Sequence, residues 1–153
     1  MSKSYIGDIP NTHIRDFQRK RLYQAEEQCG FWNTLDVLSI EEIEELVIRI
    51  SSWAETPVPK LIADGHNFVY ATKNCIVLPY PITKTLPYIL HEMSHVINYN
   101  SDNADHHGKY FASTYLQVVK EFASPRAYIE LKRSFKNFNV KYFYPKLDKL
   151  ISV

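Results

Sequence analysis

Residues 87–99 read Pro-Tyr-Ile-Leu-His-Glu-Met-Ser-His-Val-Ile-Asn-Tyr. Proline suits the first turn of a helix, so Pro87 is a natural start. Ile89, Leu90, Met93, Val96 and Ile97 then fall on one apolar face at helical spacing. His91 and His95, four apart, project together from the other side. The expectation is an amphipathic helix that anchors in the core and holds its two imidazoles at the border of a cleft. Two imidazoles one turn apart can ligate one metal ion at about 2.0–2.1 Å. Glu92 lies beside them and suits a base for the water that such a metal activates.

Downstream, a polar loop spans residues 100–105, and Phe111, Tyr115, Val118, Val119 and Phe122 predict a second helix over 108–123. Ser124-Pro125 is a good N-cap and first-turn pair for a last helix to about residue 137. Upstream, short runs rich in Val, Ile, Phe and Tyr at 60–63, 67–71 and 74–78 predict strands, with Asp64-Gly65 and Lys73-Asn74 as turns. A three-stranded meander would make a small antiparallel sheet, closed by Pro79 and Pro81. Before it, Ser39 and Glu42 form a capping box that opens a helix with Ile43, Leu46, Val47 and Ile50 as its buried stripe. Pro57 and Pro59 end that region. Ile14, Phe17, Leu22, Ala25 and Cys29 predict a first helix over 12–28, ended by Gly30. Helices, a small sheet and helices again make an α+β domain.

A chain of 153 residues fits one domain, spanning 1–153, with a core large enough to need no staples. The net charge of +1 gives no global field toward nucleic acid or membrane. From residue 124 onward, however, Arg126, Lys132, Arg133, Lys136, Lys141, Lys146 and Lys149 face only Glu130 and Asp148. A solvated helix face is the first reading of that run, and a docking surface for an acidic partner the second. Arg15, Arg19, Lys20 and Arg21 form a smaller basic cluster, followed at once by Glu26 and Glu27. Cys29 and Cys75 make no disulfide framework. With no signal peptide and no apolar run near ~20 residues, the expectation is a cytoplasmic protein that does not enter a membrane.

A catalytic zinc wants three protein ligands and one open position. The pattern with a histidine six residues beyond His95 is excluded, because Ser101 stands there. Thr114 stands where a downstream glutamate would serve, and Glu121 lies further along. The nearer candidates are Asp102, Asp105, His106 and His107. His107 is the expected third ligand, because it precedes Gly108 at a helix start from which a side chain can turn back. His106 is its competitor. His13 and His66 lie far from the motif, and His66 reads as a turn residue after Gly65.

The His-Glu-x-x-His motif, followed by His107-Gly108-Lys109-Tyr110-Phe111, resembles the SprT-like zinc peptidases. More of the chain, about residues 14–140, resembles small metallohydrolases of actinobacteria and their phages. The matching elements are Arg15-Asp16-x-Gln18, Leu22-Tyr23-x-Ala25-Glu26, Leu78-Pro79, Leu90-His91-Glu92 and His107-Gly108-x-x-Phe111. The resemblance implies a zincin-like fold, an active-site helix backed by a sheet, with Zn2+ on His91, His95 and His107.

The mechanism expected is hydrolysis of a protein or peptide substrate. Glu92 would accept a proton from the attacking water and pass it to the leaving amine. Tyr99, Tyr110 and His106 are candidates to steady the oxyanion or to support the ligands. The strand at 74–78 is expected to offer an edge for an extended peptide. Three other readings remain open. One is hydrolysis of a non-peptide amide, such as a cell-wall fragment. Another is a phage-type binding or inhibitory protein with a structural zinc closed by a fourth ligand. The third is a nucleic-acid-associated module using the basic C-terminal third.

Overall fold

The computed structural model describes residues 16–65, 68–79 and 84–143. In chain order these form α1 (Arg19–Glu27), β1 (Val37–Leu38), α2 (Ile40–Ala54), β2 (Lys60–Asp64), β3 (Tyr70–Ala71) and β4 (Cys75–Pro79). Then follow β5 (Lys84–Thr85), α3 (Leu86–Tyr99), α4 (Lys109–Phe122) and α5 (Pro125–Asn137). The class is α+β, as the alternation of periods indicates. One cluster of buried apolar side chains joins all five of these helices to the sheet.

The local start signals act as chemistry requires. Ser39 Oγ accepts from the Glu42 backbone N–H at 3.2 Å, and Glu42 Oε1 accepts from the Ser39 N–H at 3.0 Å. That reciprocal pair opens α2. Ser124 Oγ accepts from the Ala127 N–H at 3.0 Å and opens α5, with Pro125 in its first turn. The helix expected from residue 12 begins at Arg19: residues 17–18 form a turn, and 12–15 lie outside the described residues. His13, Arg15, His66, Lys146 and Lys149 lie outside them too.

The sheet departs from the expected antiparallel meander. Its order is β2-β4-β3, with β2 parallel to β4 and β3 antiparallel to it. Lys73-Asn74 does turn β3 into β4: Thr72 N–H donates to the Cys75 carbonyl at 2.8 Å, and Thr72 Oγ1 accepts from the Cys75 N–H. Asp64-Gly65 joins no paired neighbours. The reason is legible in β4 itself. Cys75, Ile76, Val77 and Leu78 are all buried, the continuous apolar run of a strand covered on both faces. Such a strand takes the centre, so it cannot be the edge along which a peptide lies. A two-residue pairing of β1 with β5 was not expected, being too short to carry a periodicity.

α3 packs on α4, α2, β3, β4 and β5. Eleven of its fourteen residues are buried, the histidines and Glu92 included. The expected exposed polar side is therefore absent. What the helical period marks as polar is roofed by α1, by Trp32 and by α4. The turn before α1 is tied to the segment after α5 by the Gln18 amide, which donates to the Lys141 carbonyl at 3.0 Å and accepts from its N–H at 2.8 Å.

Candidate metal centre

α3 supplies His91, Glu92 and His95. The turn into α4 supplies His107. The four side chains are 4–6% exposed. Ligand atoms of His91, His95 and His107 all lie within 4.8 Å of one another. His95 Nε2 and His107 Nε2 are 3.2 Å apart. Two ligands of a tetrahedral ion at about 2.0–2.1 Å stand roughly 3.3 Å apart, so this spacing suits a shared metal.

Two carboxylates hold the outer nitrogens. His91 Nδ1 donates to Glu26 Oε2 at 2.6 Å, and His107 Nδ1 donates to Asp16 Oδ2 at 2.9 Å. Each bond places the proton on Nδ1 and leaves the Nε2 lone pair for a cation. Glu26 also accepts from the Tyr115 hydroxyl at 2.7 Å, so this carboxylate, 2% exposed, is paired twice. His95 Nδ1 is buried with no hydrogen-bond partner among the described residues. A ring whose one nitrogen is orphaned, and whose other faces a second imidazole nitrogen, fits a metal ligand better than a packing residue. The donor set can hold a metal ion.

The electrostatics agree. Burial, joined by the charges of His107, His91 and His106, pushes His95 well below the ordinary imidazole range, so it stays neutral and able to ligate. Burial lowers His107 too, against the pull of Asp16. Burial also works against a charged His91, but the charge and hydrogen bond of Glu26 outweigh it and push its pKa up. Burial lifts Glu92 to about 7, opposed by His91 and helped by Glu26. A carboxyl near neutrality can take and return a proton at ordinary pH.

The other candidates take different places. Asp105 caps α4: its carboxylate accepts from the Tyr110 N–H at 3.0 Å and the Phe111 N–H at 2.9 Å, and Asn98 donates to it at 3.0 Å. That cap explains Gly108, because a Cβ there would lie 2.3 Å from Asp105 Oδ2. His106 is half-buried, with Nδ1 hydrogen-bonded to the Tyr99 hydroxyl at 3.0 Å. Tyr99 stacks on His95, with ring centroids 5.4 Å apart, so it and His106 stand behind a ligand. Tyr110 is turned toward Phe143, ring centroids 4.7 Å apart, and is partly exposed. Asp102 and Glu121 are exposed and outside the cluster.

Sequence reasoning assigned no role to Glu26, Asp16, Tyr115, Tyr23 or Trp32. For Glu26 a signal existed: Leu22, Ala25, Glu26 and Cys29 make one buried helical stripe, and a carboxylate inside such a stripe demands a partner. Asp16 carried no such mark. A cleft of about 370 Å3 opens on His91 and Glu92, with Tyr23, Trp32 and Tyr88 along it. Both cysteines are buried thiols outside any disulfide. No helix among the described residues is long and apolar enough to cross a membrane. No family model, no curated protein and no solved structure matches the chain.

Proposed function

We propose that the chain is a zinc-dependent hydrolase, a peptidase of zincin-like and SprT-like type, with His91, His95 and His107 as ligands and Glu92 as the proton carrier. The observation that carries this reading is the convergence of three buried imidazoles, one oriented by the buried Glu26 and one by the partly buried Asp16, beside a carboxyl poised near neutrality. Three imidazole nitrogens with one position left for water suit zinc. When bound, zinc supplies a Lewis acid that polarises a carbonyl and acidifies water.

The rest falls to the chain's own residues. Glu92 accepts the proton of the attacking water and delivers it to the leaving amine. Glu26 and Asp16 keep the ligand rings turned, with Nε2 inward. Tyr23 lies against both His91 and His107, at 6.2 and 5.1 Å between centroids, and lines the cleft. Burial raises its pKa, so its hydroxyl stays protonated and can donate to a developing oxyanion. That role was expected of Tyr99, Tyr110 or His106. The segment entering β3, an edge strand, forms part of the cleft wall through Phe68 and Val69. An extended peptide could lie there, which favours a protein or peptide substrate. Two buried thiols outside any disulfide suit a reducing compartment, and a cytoplasmic site of action belongs to the same reading.

The test is metal content by mass spectrometry on the wild type and on His107→Ala, with peptide hydrolysis measured on the wild type and on Glu92→Gln. The expected result is about one zinc per wild-type chain, lost in His107→Ala, and activity lost in Glu92→Gln with zinc retained. Zinc unaffected by His107→Ala, or a fully active Glu92→Gln, would overturn the assignment.

A further inference from the structure

We infer that the cleft beside Glu92 is a specificity pocket for a bulky apolar side chain, aromatic by preference, flanking the scissile bond, with Trp32 and Tyr88 as its selective wall. The inference rests on the peptidase reading above and names the substrate class that it leaves open.

The cleft opens directly on the reacting groups, since His91 and Glu92 line it. Three larger cavities are not lined by Glu92. One, of about 780 Å3, runs along the basic side of α5, and one, of about 540 Å3, lies behind Asp16 and His106. The third, of about 410 Å3, sits between the end of α1 and α5. At about 370 Å3 the cleft falls at the small end of ligand sites, the scale of one large side chain with its backbone.

Its walls are rings brought together from separate stretches of chain. Tyr88 comes from the first turns of α3, Trp32 from the loop after α1, and Phe68 and Val69 from the approach to β3. Trp32 and Tyr88 meet at 4.7 Å between centroids, inclined at 41°. Trp32 then reaches His91 at 6.0 Å in an edge-on arrangement. The run of rings therefore ends on a metal-binding imidazole. Trp32 and Tyr88 are only half-buried, and Phe68 is 37% exposed, so aromatic surface is left uncovered next to the chemistry. A third ring inserted there gains apolar burial and tilted ring contacts.

The charges around the cleft do not compete for the role. Glu26 is committed to His91 and Tyr115. Glu92 is committed to the proton transfer, and Lys84 and Glu27 contribute one charge of each sign, with the Lys84 ammonium 4.6 Å over the Tyr88 ring. Selection by a charged side chain would need one sign to prevail. The discriminating surface is the rings.

The experiment uses the zinc-loaded full chain and two probes with the same metal-binding head, acetohydroxamate and 3-phenylpropionohydroxamate. Affinities are read by calorimetry in the wild type, Trp32→Ala and Tyr88→Ala. Burying a phenyl group should make the second probe about 10- to 100-fold tighter in the wild type. That ratio should fall toward one in either variant. Equal affinities in the wild type, or a ratio that survives in both folded variants, overturn the pocket while leaving the metal site standing. Failure of both probes to bind overturns the metal reading and the pocket with it. The wild-type ratio alone decides the matter should a variant not fold.

Discussion

Helices α3 and α5 both carry polar residues and spend them in opposite ways. α5 buries Ala127, Leu131, Ser134 and Phe135 and turns Arg126, Arg133 and Lys136 to solvent. The ion pair of Arg126 with Glu130 at 3.6 Å is an i,i+4 surface contact of small worth. α3 encloses His91, Glu92, Ser94, His95 and Asn98. Hiding such groups is costly unless each has a partner. The partners are there: Glu26 for His91, the Leu90 carbonyl for Ser94, Asp105 for Asn98. The exception, the orphaned His95 Nδ1, sits at the candidate metal centre, where burial also raises the Glu92 pKa to about 7. Polar groups that a fold hides at a cost mark its chemistry, and those left in water mark its solubility.

Substitutions in the two helices should separate accordingly. The largest effect is expected for His95→Ala, which should leave the purified chain without metal, as read by mass spectrometry. Metal retained there would put α3 on the same footing as α5. Next, Glu92→Gln should keep metal and lower peptide hydrolysis about 10²- to 10⁴-fold in turnover.

The third prediction concerns pH in the metal-free chain. Glu92 holds its proton up to about pH 7 when folded and only to 4.5 when unfolded. The stability tied to that proton is full below pH 4.5 and is lost as pH rises through 7. Glutamine does not titrate, so Glu92→Gln should gain on the wild type by roughly 3 kcal/mol between pH 4 and pH 8. Urea unfolding at the two pH values checks this, and a constant difference would remove the buried carboxyl from the account.

Fourth, Glu26→Gln and Asp16→Asn should each weaken metal binding about 10- to 100-fold, measured by competition with a chelator. An unchanged affinity would reduce these carboxylates to packing. The smallest effect belongs to α5: Arg133→Ala and Lys136→Ala should shift stability by no more than about 0.5 kcal/mol in thermal melts. A larger loss would mean that the outer face of α5 is not simply solvated.

Much of this contrast was legible beforehand. The capping box at Ser39 and Glu42, the Ser124-Pro125 start and the His91–His95 pair depend on residues three or four apart, and local geometry enforces them wherever the helix lies. Chain proximity to that pair narrowed the third ligand to Asp102, Asp105, His106 and His107, and the helix start at Gly108 favoured His107 over its competitor His106. The strands were placed, but not their order, because pairing is a non-local choice that a period of two does not encode. The parallel partnership of Lys60–Asp64 with Cys75–Pro79 had to wait for the fold.

By itself, then, the sequence determined the α+β class, the helix bearing His91, Glu92 and His95, and the third imidazole at His107. The class rests on the alternation of helical and strand periods, the His91–His95 pair on a spacing of one helical turn, where covalent geometry leaves little freedom, and His107 on its place before Gly108 at the start of the next helix. Only the tertiary structure decided that the polar side of the helix is enclosed, that β4 is central, and that Glu26 and Asp16 hold His91 and His107. Glu26 meets His91 across 65 positions and Asp16 meets His107 across 91. Contacts at such separations follow from how whole elements pack to bury apolar surface, and no local pattern records which carboxylate the packing will bring to which ring.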